Sequence, residues 1–307
     1  MQTTPSRISL LLDQLNMVMA DKSLQVQDGV TCLLAGGHLL IEDMPGVGKT
    51  TLAQALAHSL GLAFSRVQFT SDLMPSDLTG VSIYERERNA FVFHPGPLFT
   101  QVLLADEINR ASARTQSALL EAMEEQQVSV DGETRPLPRP FFVIATQNPQ
   151  DQLGTHALPE SQLDRFLMRI SLGYPSRAAE RDLLRGQDRR ALLKTLPALL
   201  DAGQLAELQA AVLAVQAGDA VLDYLQDLVE ATRDGRWFVQ GLSPRAALAV
   251  LRAAKAHALV EGRGYVAPDD IAAILPQTTA HRLIPVEGAG RGAVEQVRAL
   301  LAATPLR

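Results

Sequence analysis

Met44-Pro45-Gly46-Val47-Gly48-Lys49-Thr50 is the strongest structural signal in this chain of 307 residues. It follows the apolar run His38-Leu39-Leu40-Ile41-Glu42, which predicts a buried strand, and it precedes a helical pattern from Thr51 to Leu60. Glycines between a strand and a helix let successive backbone N–H groups point at one anion, and the helix N-terminus adds partial positive charge. The stretch therefore predicts a phosphate-binding loop.

The side chains of this loop predict the chemistry of its ligand. Lys49 can reach the β- and γ-phosphates of a nucleotide, and the Thr50 hydroxyl can bind Mg²⁺. The general pattern G-x-x-x-x-G-K-S/T starts with glycine, whereas Asp43 holds that position here. The alternative is a glycine turn without a ligand. We expect ATP to contact the residues Pro45, Gly46, Val47, Gly48, Lys49, Thr50 and Thr51.

Polar side chains also follow two other predicted strands. Leu103-Leu104-Ala105-Asp106-Glu107 is an apolar run that ends in two carboxylates. Because open α/β sheets bind ligands at strand ends, Asp106 is predicted to hold Mg²⁺ and Glu107 to orient and deprotonate a water. The alternative is an ordinary acidic strand end. Asn148 follows the apolar run Phe141-Phe142-Val143-Ile144-Ala145, and its amide either holds the attacking water or belongs to an Asn-Pro turn.

Apolar runs alternate with helical patterns as far as Tyr174-Pro175-Ser176. Such alternation indicates βαβ units and a parallel sheet covered on both faces. The rest of the chain is rich in Ala and Leu and has few strand signals. Ser243-Pro244 opens a helix there, and Pro268 opens another that Pro276 is expected to end. We predict an α/β core over residues 1–175 and a helical domain over residues 176–307.

Two hairpins are predicted to interrupt the core. Asp131-Gly132 lies within residues 128–134 and is a dipeptide that two-residue hairpin turns favour. Residues 81–93 alternate apolar and polar side chains around Glu87-Arg88-Asn89. Loops added to an α/β core often serve a task beyond the chemistry of the core itself.

Composition limits the classes of protein that the chain can be. It has 28 Lys and Arg against 34 Asp and Glu, a formal net charge of -6, which argues against a dedicated nucleic-acid binder. The single cysteine, Cys32, cannot form a disulfide within the chain, so a reducing, cytoplasmic compartment is expected. No apolar run reaches the roughly 20 residues that a bilayer requires, and we expect no membrane insertion.

The sequence in and around the three polar elements also carries stretches that are specific to one protein family. It contains the stretches Leu40-Ile41-Glu42-Asp43-Met44-Pro45-Gly46-Val47-Gly48-Lys49-Thr50, Val67-Gln68-Phe69-Thr70, Gly96-Pro97-Leu98-Phe99, Leu104-Ala105-Asp106-Glu107-Ile108-Asn109-Arg110, Ser117-Ala118-Leu119-Leu120-Glu121-Ala122-Met123-Glu124-Glu125, Leu163-Asp164-Arg165-Phe166 and Ser243-Pro244-Arg245. Together these resemble the MoxR family of AAA+ ATPases, in which Asp43 at the first loop position is usual. The resemblance covers most of residues 8–175 and resumes at residue 243.

This resemblance implies a P-loop NTPase core of three αβα layers with a parallel sheet, followed by an all-helical lid. It also implies a homo-oligomeric ring, usually a hexamer, with ATP at the subunit interfaces. Arg165 matches the arginine finger that reaches a neighbour's γ-phosphate. Arg245 matches the sensor 2 arginine, which would project from the lid onto its own subunit's nucleotide, and Asn148 matches sensor 1. The hairpins at 81–93 and 128–134 correspond to the helix-2 insertion and the pre-sensor 1 hairpin, facing the pore or a client.

Without the resemblance, plainer interpretations of the charged residues stay open. Arg165 could form a surface salt bridge with Asp164 or Glu160, and Arg245 could lie at a helix start on a solvated face. The three carboxylates of one predicted helix face are interpreted as solvated rather than as a metal site; they are Glu121, Glu124 and Glu125.

The family implies chaperone-like remodelling of client proteins, with partners that carry a von Willebrand factor A domain. One alternative is a DNA-acting AAA+ motor, which requires a basic pore hairpin. The hairpin charges Glu85-Arg86-Glu87-Arg88 cancel, and the chain is acidic. The other alternative is a scaffold that binds ATP without hydrolysing it, and the presence of Glu107, Asn148 and Arg165 argues against it.

Overall fold

The computed structural model describes residues 4–149, 156, 158–186, 192–193, 195–286 and 292–305. Its strands are β1 (His38–Glu42), β2 (Phe64–Gln68), β3 (Gly80–Glu85), β4 (Ala90–Pro95), β5 (Val102–Asp106), β6 (Gln127–Val130), β7 (Glu133–Pro136), β8 (Phe142–Gln147) and β9 (Phe166–Ile170). Its helices are α1 (Thr4–Val18), α2 (Ser23–Leu34), α3 (Lys49–Ser59), α4 (Pro75–Thr79), α5 (Ala113–Glu125), α6 (Glu160–Leu163), α7 (Arg177–Leu184), α8 (Ala202–Ala214), α9 (Asp219–Arg233), α10 (Pro244–Val260), α11 (Pro268–Thr279) and α12 (Ala293–Ala303).

Five strands form one parallel sheet in the order β2-β5-β8-β1-β9. Ile144 of β8 pairs with Leu39 on one side and with Leu104 on the other. Successive side chains point to opposite faces, so Leu39 lies in one buried cluster whereas Leu40 lies in another. Because both faces are covered, the central strands are apolar throughout. The predicted α/β core with a parallel sheet is confirmed.

Helices cover the two faces of this sheet unequally. The cluster around Leu39 takes in α1, α2 and α3 and continues into the helices that follow β9. The cluster around Leu40 is smaller and is closed mainly by α5. Since the larger cluster is continuous from the core into the later helices, the division into residues 1–175 and 176–307 stays a prediction.

After β9, the described residues form helices and two isolated β-bridges. The Ser243 hydroxyl accepts a hydrogen bond from the backbone N–H of Ala246 at 3.1 Å, and Pro244 occupies the first turn of α10. The predicted helix start at Ser243-Pro244 is therefore confirmed. Within the ranges given above, no helix combines the length and the apolar character needed to cross a membrane.

The expectation that Pro276 ends its helix is wrong, because α11 continues through it to Thr279. A proline deletes one backbone hydrogen bond, and here it does so close to the helix end. The following threonines add bonds of their own to the carbonyls of that turn. Thr278 Oγ1 donates to the Ile274 carbonyl at 2.8 Å, and Thr279 Oγ1 donates to the Leu275 carbonyl at 2.7 Å.

Both predicted hairpins are present. β6 and β7 pair in an antiparallel manner around Asp131 and Gly132, which have φ values of 54° and 80°. Two successive positive φ values are what the tightest hairpin turn requires. β3 and β4 form the second hairpin, and its side chains Ile83, Tyr84 and Phe91 are all exposed.

Asp28 of α2 lies where this helix meets the helices after β9. Its Oδ2 accepts a long hydrogen bond of 3.4 Å from Gln277 Nε2 of α11. Desolvation raises the pKa of Asp28 to about 6, against the opposing effects of Gln277 and His257. Burial therefore disfavours the ionised form of this carboxyl.

We expect Asp28→Asn to stabilise the protein at pH 8 but not near pH 4. The native Asp28 carboxyl keeps its proton at pH values where the unfolded chain has lost it. Its contribution to stability is complete below about pH 3.8 and is lost as the pH rises through about 6. The neutral amide avoids that loss, so the gain in unfolding free energy at pH 8 is about 1–3 kcal/mol. Urea unfolding at both pH values measures it.

The exposed carboxylate Asp13 of α1 provides the matched control, because Asp13→Asn should change stability little at either pH. An equal gain for Asp28→Asn at both pH values would contradict the ionisation argument and indicate a packing effect.

Candidate functional site

The glycine loop joins the end of β1 to the start of α3. Gly46 and Gly48 have φ values of 86° and 102°, a left-handed conformation that side chains with a Cβ rarely adopt. A Cβ on Gly46 would meet no atom within 4 Å, so conformation rather than space requires glycine there. Lys49 begins the helix, and Thr50 and Thr51 follow in its first turn. The loop and helix N-terminus thus form the backbone arrangement that binds phosphate.

Asp43 ties this loop to the chain that follows β9. Its carboxylate accepts hydrogen bonds from the N–H of Met44 at 2.8 Å, the hydroxyl of Ser171 at 2.9 Å and the N–H of Gly173 at 2.6 Å. Desolvation acts to raise the pKa of Asp43, but these bonds outweigh it and hold the pKa below its ordinary value. The departure from the general loop pattern is therefore a structural tether.

The Lys49 ammonium lies at the mouth of the loop. It is buried, and its Nζ donates to the carbonyl of Asp43 at 2.6 Å. Desolvation lowers the pKa of Lys49, while the carboxylates of Asp106, Asp43 and Glu107 oppose that shift, with Asp106 having the largest effect of the three. The amine thus lies close to the two strand-end carboxylates that the sequence singled out.

Asp106 ends β5 beside the loop and is held on both carboxylate oxygens. Oδ1 accepts the Thr146 hydroxyl at 2.6 Å, and Oδ2 accepts Arg66 Nη2 at 2.6 Å. The Asp106 side chain is largely buried whereas that of Arg66 is half exposed, so the pair opens toward solvent on one side. A fixed carboxylate at a strand end can hold a divalent cation directly or through water.

Glu107 has a φ of 55°, an uncommon conformation for a residue with a side chain. Its backbone N–H donates to Thr146 Oγ1 at 2.9 Å. Its carboxylate accepts Gln68 Nε2 at 2.8 Å and Arg110 Nη1 at 3.0 Å through the same oxygen, Oε2. The other carboxylate oxygen, Oε1, accepts neither of these bonds.

Asn148 directly follows β8 at the same edge of the sheet. The backbone N–H of Asp43 donates to the carbonyl of Gln147 at 3.1 Å, which places Asn148 next to the root of the glycine loop. The site residues predicted on three strands therefore lie together at this edge. Arg66, Gln68 and Thr146 also contact the site but were not predicted; each is a polar residue near the end of its strand, which is the signal that could have identified it.

Arg165 lies at the other edge of the sheet. It directly precedes β9, whose first residue, Phe166, pairs with His38 at the start of β1, whereas the glycine loop follows the end of β1. A strand of five residues places the two edges roughly 13–17 Å apart. Arg165 is therefore remote from the glycine loop of its own chain.

Arg245 lies beside Arg165 and shares its partner. Glu124 Oε2 accepts Arg165 Nε at 2.9 Å and Nη2 at 2.8 Å, while Glu124 Oε1 accepts Arg245 Nη1 at 3.2 Å. The expectation that Arg245 reaches its own subunit's nucleotide is wrong, because it lies at the edge opposite the loop. Glu124 is exposed, in keeping with the solvated face that the sequence predicts, and it also pairs with both arginines, which the sequence did not indicate.

These two arginines line a cavity of about 360 Å³. Gly36, Gly37 and His38 line it as well. The charged side chains that line it are Glu124, Asp164, Arg165, Arg245, Arg252 and Arg282. Desolvation lowers the pKa of His38 to about 4, so this residue is neutral and the lining carries more positive than negative charge.

Two family models match the chain. Residues 38–168 match the ATPase family associated with various cellular activities (AAA), and residues 230–300 match the AAA lid domain. YeaC, an uncharacterized protein of Bacillus subtilis, is 47% identical over 89% of this chain and 85% of that protein. Chaperone MoxR1 of Mycobacterium tuberculosis is 43% identical over 82% of this chain and 69% of that protein. A crystal structure from Cytophaga hutchinsonii, of a protein assigned as an ATPase, has a TM-score of 0.91 and 34% identity, covering 99% of this chain and 96% of that one.

The matched sheet domain and lid, together with the loop geometry, define an AAA+ protein, which binds nucleotide and hydrolyses it. Within that class the chain belongs to the MoxR family, because its identity with MoxR1 extends over most of both proteins. The protein is therefore an ATPase whose lid follows the sheet domain in sequence.

Proposed function

We propose that the protein hydrolyses ATP bound at the carboxyl edge of its sheet. The observation that carries this proposal is the convergence there of Lys49, Asp106 and Glu107. Pro45 to Thr51 surround the phosphates, the backbone N–H groups from Gly46 onward point at them, and Lys49 contacts the β- and γ-phosphates. Thr50 and Asp106 hold Mg²⁺, which supplies positive charge to the phosphate oxygens when it is bound.

Glu107 is the general base in this proposal. A water oxygen attacks the γ-phosphorus, the bond from that phosphorus to the bridging oxygen of the β-phosphate breaks, and ADP and phosphate leave. Glu107 accepts the proton of the water, and the Asn148 amide orients the water or contacts the γ-phosphate. Gln68 and Arg110 fix the Glu107 carboxylate through Oε2, leaving Oε1 to take the proton.

The guanidinium groups come from a neighbouring subunit in this proposal. The position of Arg165 and Arg245 at the edge opposite their own loop supports a role at the nucleotide of another copy. We propose a homo-oligomer, a hexameric ring, in which each interface joins one loop to one pair of arginines. Hydrolysis then depends on assembly.

Glu107→Gln tests the assignment of the base. The amide cannot accept the proton, so we expect phosphate release to fall by at least about 10²-fold while ATP still binds. Release of inorganic phosphate and binding of a fluorescent ATP analogue measure the two properties separately.

Glu121→Gln is the matched control, because Glu121 is an exposed carboxylate on α5. It should hydrolyse ATP at the wild-type rate. Equal rates for wild type and Glu107→Gln would reject Glu107 as the base, and a wild type without activity in any assembly state would favour the scaffold alternative.

We also propose that ATP cycles drive chaperone-like remodelling of protein clients in the cytoplasm. The hairpin β3–β4 supports a protein client, since it exposes Ile83, Tyr84 and Phe91, which are 50%, 48% and 74% accessible. Apolar patches of this kind mark protein–protein contacts. The mycobacterial relative carries the name chaperone, and the family resemblance adds partners with a von Willebrand factor A domain.

Capture by the Glu107→Gln variant in ATP tests the client class, with mass spectrometry of what is bound. Phe91→Ser in the same background is the control, and it should reduce capture of protein. Recovery of nucleic acid alone, with a gel shift that weakens as salt rises, would instead support the DNA-acting alternative.

A further inference from the structure

Carboxylates alternate with the guanidinium groups of Arg165 and Arg245 at the edge of the sheet where β1 and β9 begin, which we call the amino edge. Arg165 and Arg245 bind different oxygens of the same Glu124 carboxylate. Arg245 Nε also lies 3.7 Å from Asp164 Oδ2. Two guanidinium groups that share one carboxylate repel each other, and the negative charge of Glu124 between them offsets that repulsion.

Arg282 anchors the main chain beneath this pair. Its side chain is only 7% exposed, and its Nε donates to Asp164 Oδ1 at 2.7 Å. Its Nη2 donates to the carbonyls of Asp164 and Phe166 at 3.1 and 2.9 Å. The residues on both sides of Arg165 are therefore fixed by one buried guanidinium, which leaves the Arg165 side chain as the part that Glu124 must orient.

We propose that Glu124 is a positioning residue that holds Arg165 and Arg245 as one unit, directed at the nucleotide of a neighbouring subunit. This inference rests on the proposed function, in which both arginines act on a neighbour's ATP. Glu124 contributes by geometry and by charge, and it touches neither the nucleotide nor the water.

A free arginine side chain has many rotamers, so a carboxylate that orders two of them reduces the entropic cost of reaching the transition state. Glu124 lies in the last turn of the core helix α5, whereas Arg245 lies in the first turn of the lid helix α10. The carboxylate therefore also ties the arginine of the lid to the arginine of the core.

Kinetics of Glu124→Gln test the proposal. The amide keeps the shape but loses the charge, so we expect kcat to fall by about ten-fold with the KM for ATP unchanged, because the glycine loop is untouched. Glu124→Asp retains the charge on a shorter side chain and should recover part of the rate. Glu125→Gln, at the next, exposed position of the same helix, should match wild type.

Mixed oligomers separate positioning from a structural defect. Lys49→Ala subunits lack a working loop but present an intact Glu124 to the next subunit. In an equimolar random mixture, about half of the Glu124→Gln subunits have a Lys49→Ala subunit facing their glycine loop. Activity per Glu124→Gln subunit should therefore rise about five-fold over that of the Glu124→Gln protein alone. A subunit damaged within its own fold cannot be rescued in this way.

Three results would overturn the inference. They are an unchanged or higher kcat for Glu124→Gln, a loss that appears in KM instead of kcat, and a mixture whose activity equals the sum of its parts. The parallel variant Arg165→Ala keeps the two proposals apart. If Arg165→Ala is inactive while Glu124→Gln is normal, only this inference fails; if Arg165→Ala is also normal, the proposed function fails with it.

Discussion

Arg165→Ala is expected to bind ATP as tightly as the wild-type protein and to lose at least about 10³-fold in kcat. The binding loop lies at the opposite edge of the sheet and is not altered by the change. What is lost is the guanidinium that stabilises negative charge on the γ-phosphate in the transition state of the next subunit. Phosphate release and nucleotide affinity, each measured at several protein concentrations, check both parts of the expectation.

The control is Arg114→Ala, which removes an exposed arginine from α5. It should hydrolyse ATP normally. The trans arrangement also predicts that the specific activity of the wild type rises with protein concentration as subunits assemble. A constant specific activity in a protein shown to be monomeric would contradict it, as would full activity of Arg165→Ala.

Lys49→Ala is expected to weaken ATP binding by at least about ten- to a hundred-fold and to abolish measurable hydrolysis. Lys49 is buried beside Asp106 and brings the positive side chain of the glycine loop to the triphosphate. Without it the carboxylates Asp106 and Glu107 repel the phosphates. Isothermal titration with ATP and Mg²⁺ measures the loss.

A matched control for this change is Lys255→Ala, which removes a lysine from α10 whose Nζ donates to the Leu213 carbonyl at 3.4 Å. Its affinity for ATP should equal that of wild type. Wild-type affinity in Lys49→Ala would remove the central contact of the proposed site.

The carboxyl edge of the sheet was predictable because its signals are local. Apolar runs give the strands, and a parallel sheet brings strand ends to one edge, so Lys49, Asp106 and Asn148 could be grouped before any coordinates. The contacts of Arg66 and Gln68 could not be derived, because they depend on which strand lies beside β5. That neighbour is set by the packing of the whole sheet.

The amino edge was less accessible to sequence reasoning. The partners of Glu124 lie 41 and 121 residues away along the chain, and nothing in a helix sequence shows which lid residue will reach it. The direction of Arg245 depends on how the lid docks, which is why the expected contact with its own nucleotide was wrong. The prediction that Pro276 ends its helix was wrong for a local reason, since nearby threonine hydroxyls donate hydrogen bonds to carbonyls at the helix end.

The tether made by Asp43 has a consequence for attempts to improve the protein by matching it to common motifs. Glycine at this position would complete the general pattern G-x-x-x-x-G-K-S/T, yet it would release Ser171 and Gly173 from the loop. The variant with glycine at position 43 would match the general pattern better, but its loop would be held less firmly. A closer match to a common motif therefore does not by itself make the loop of this protein more stable.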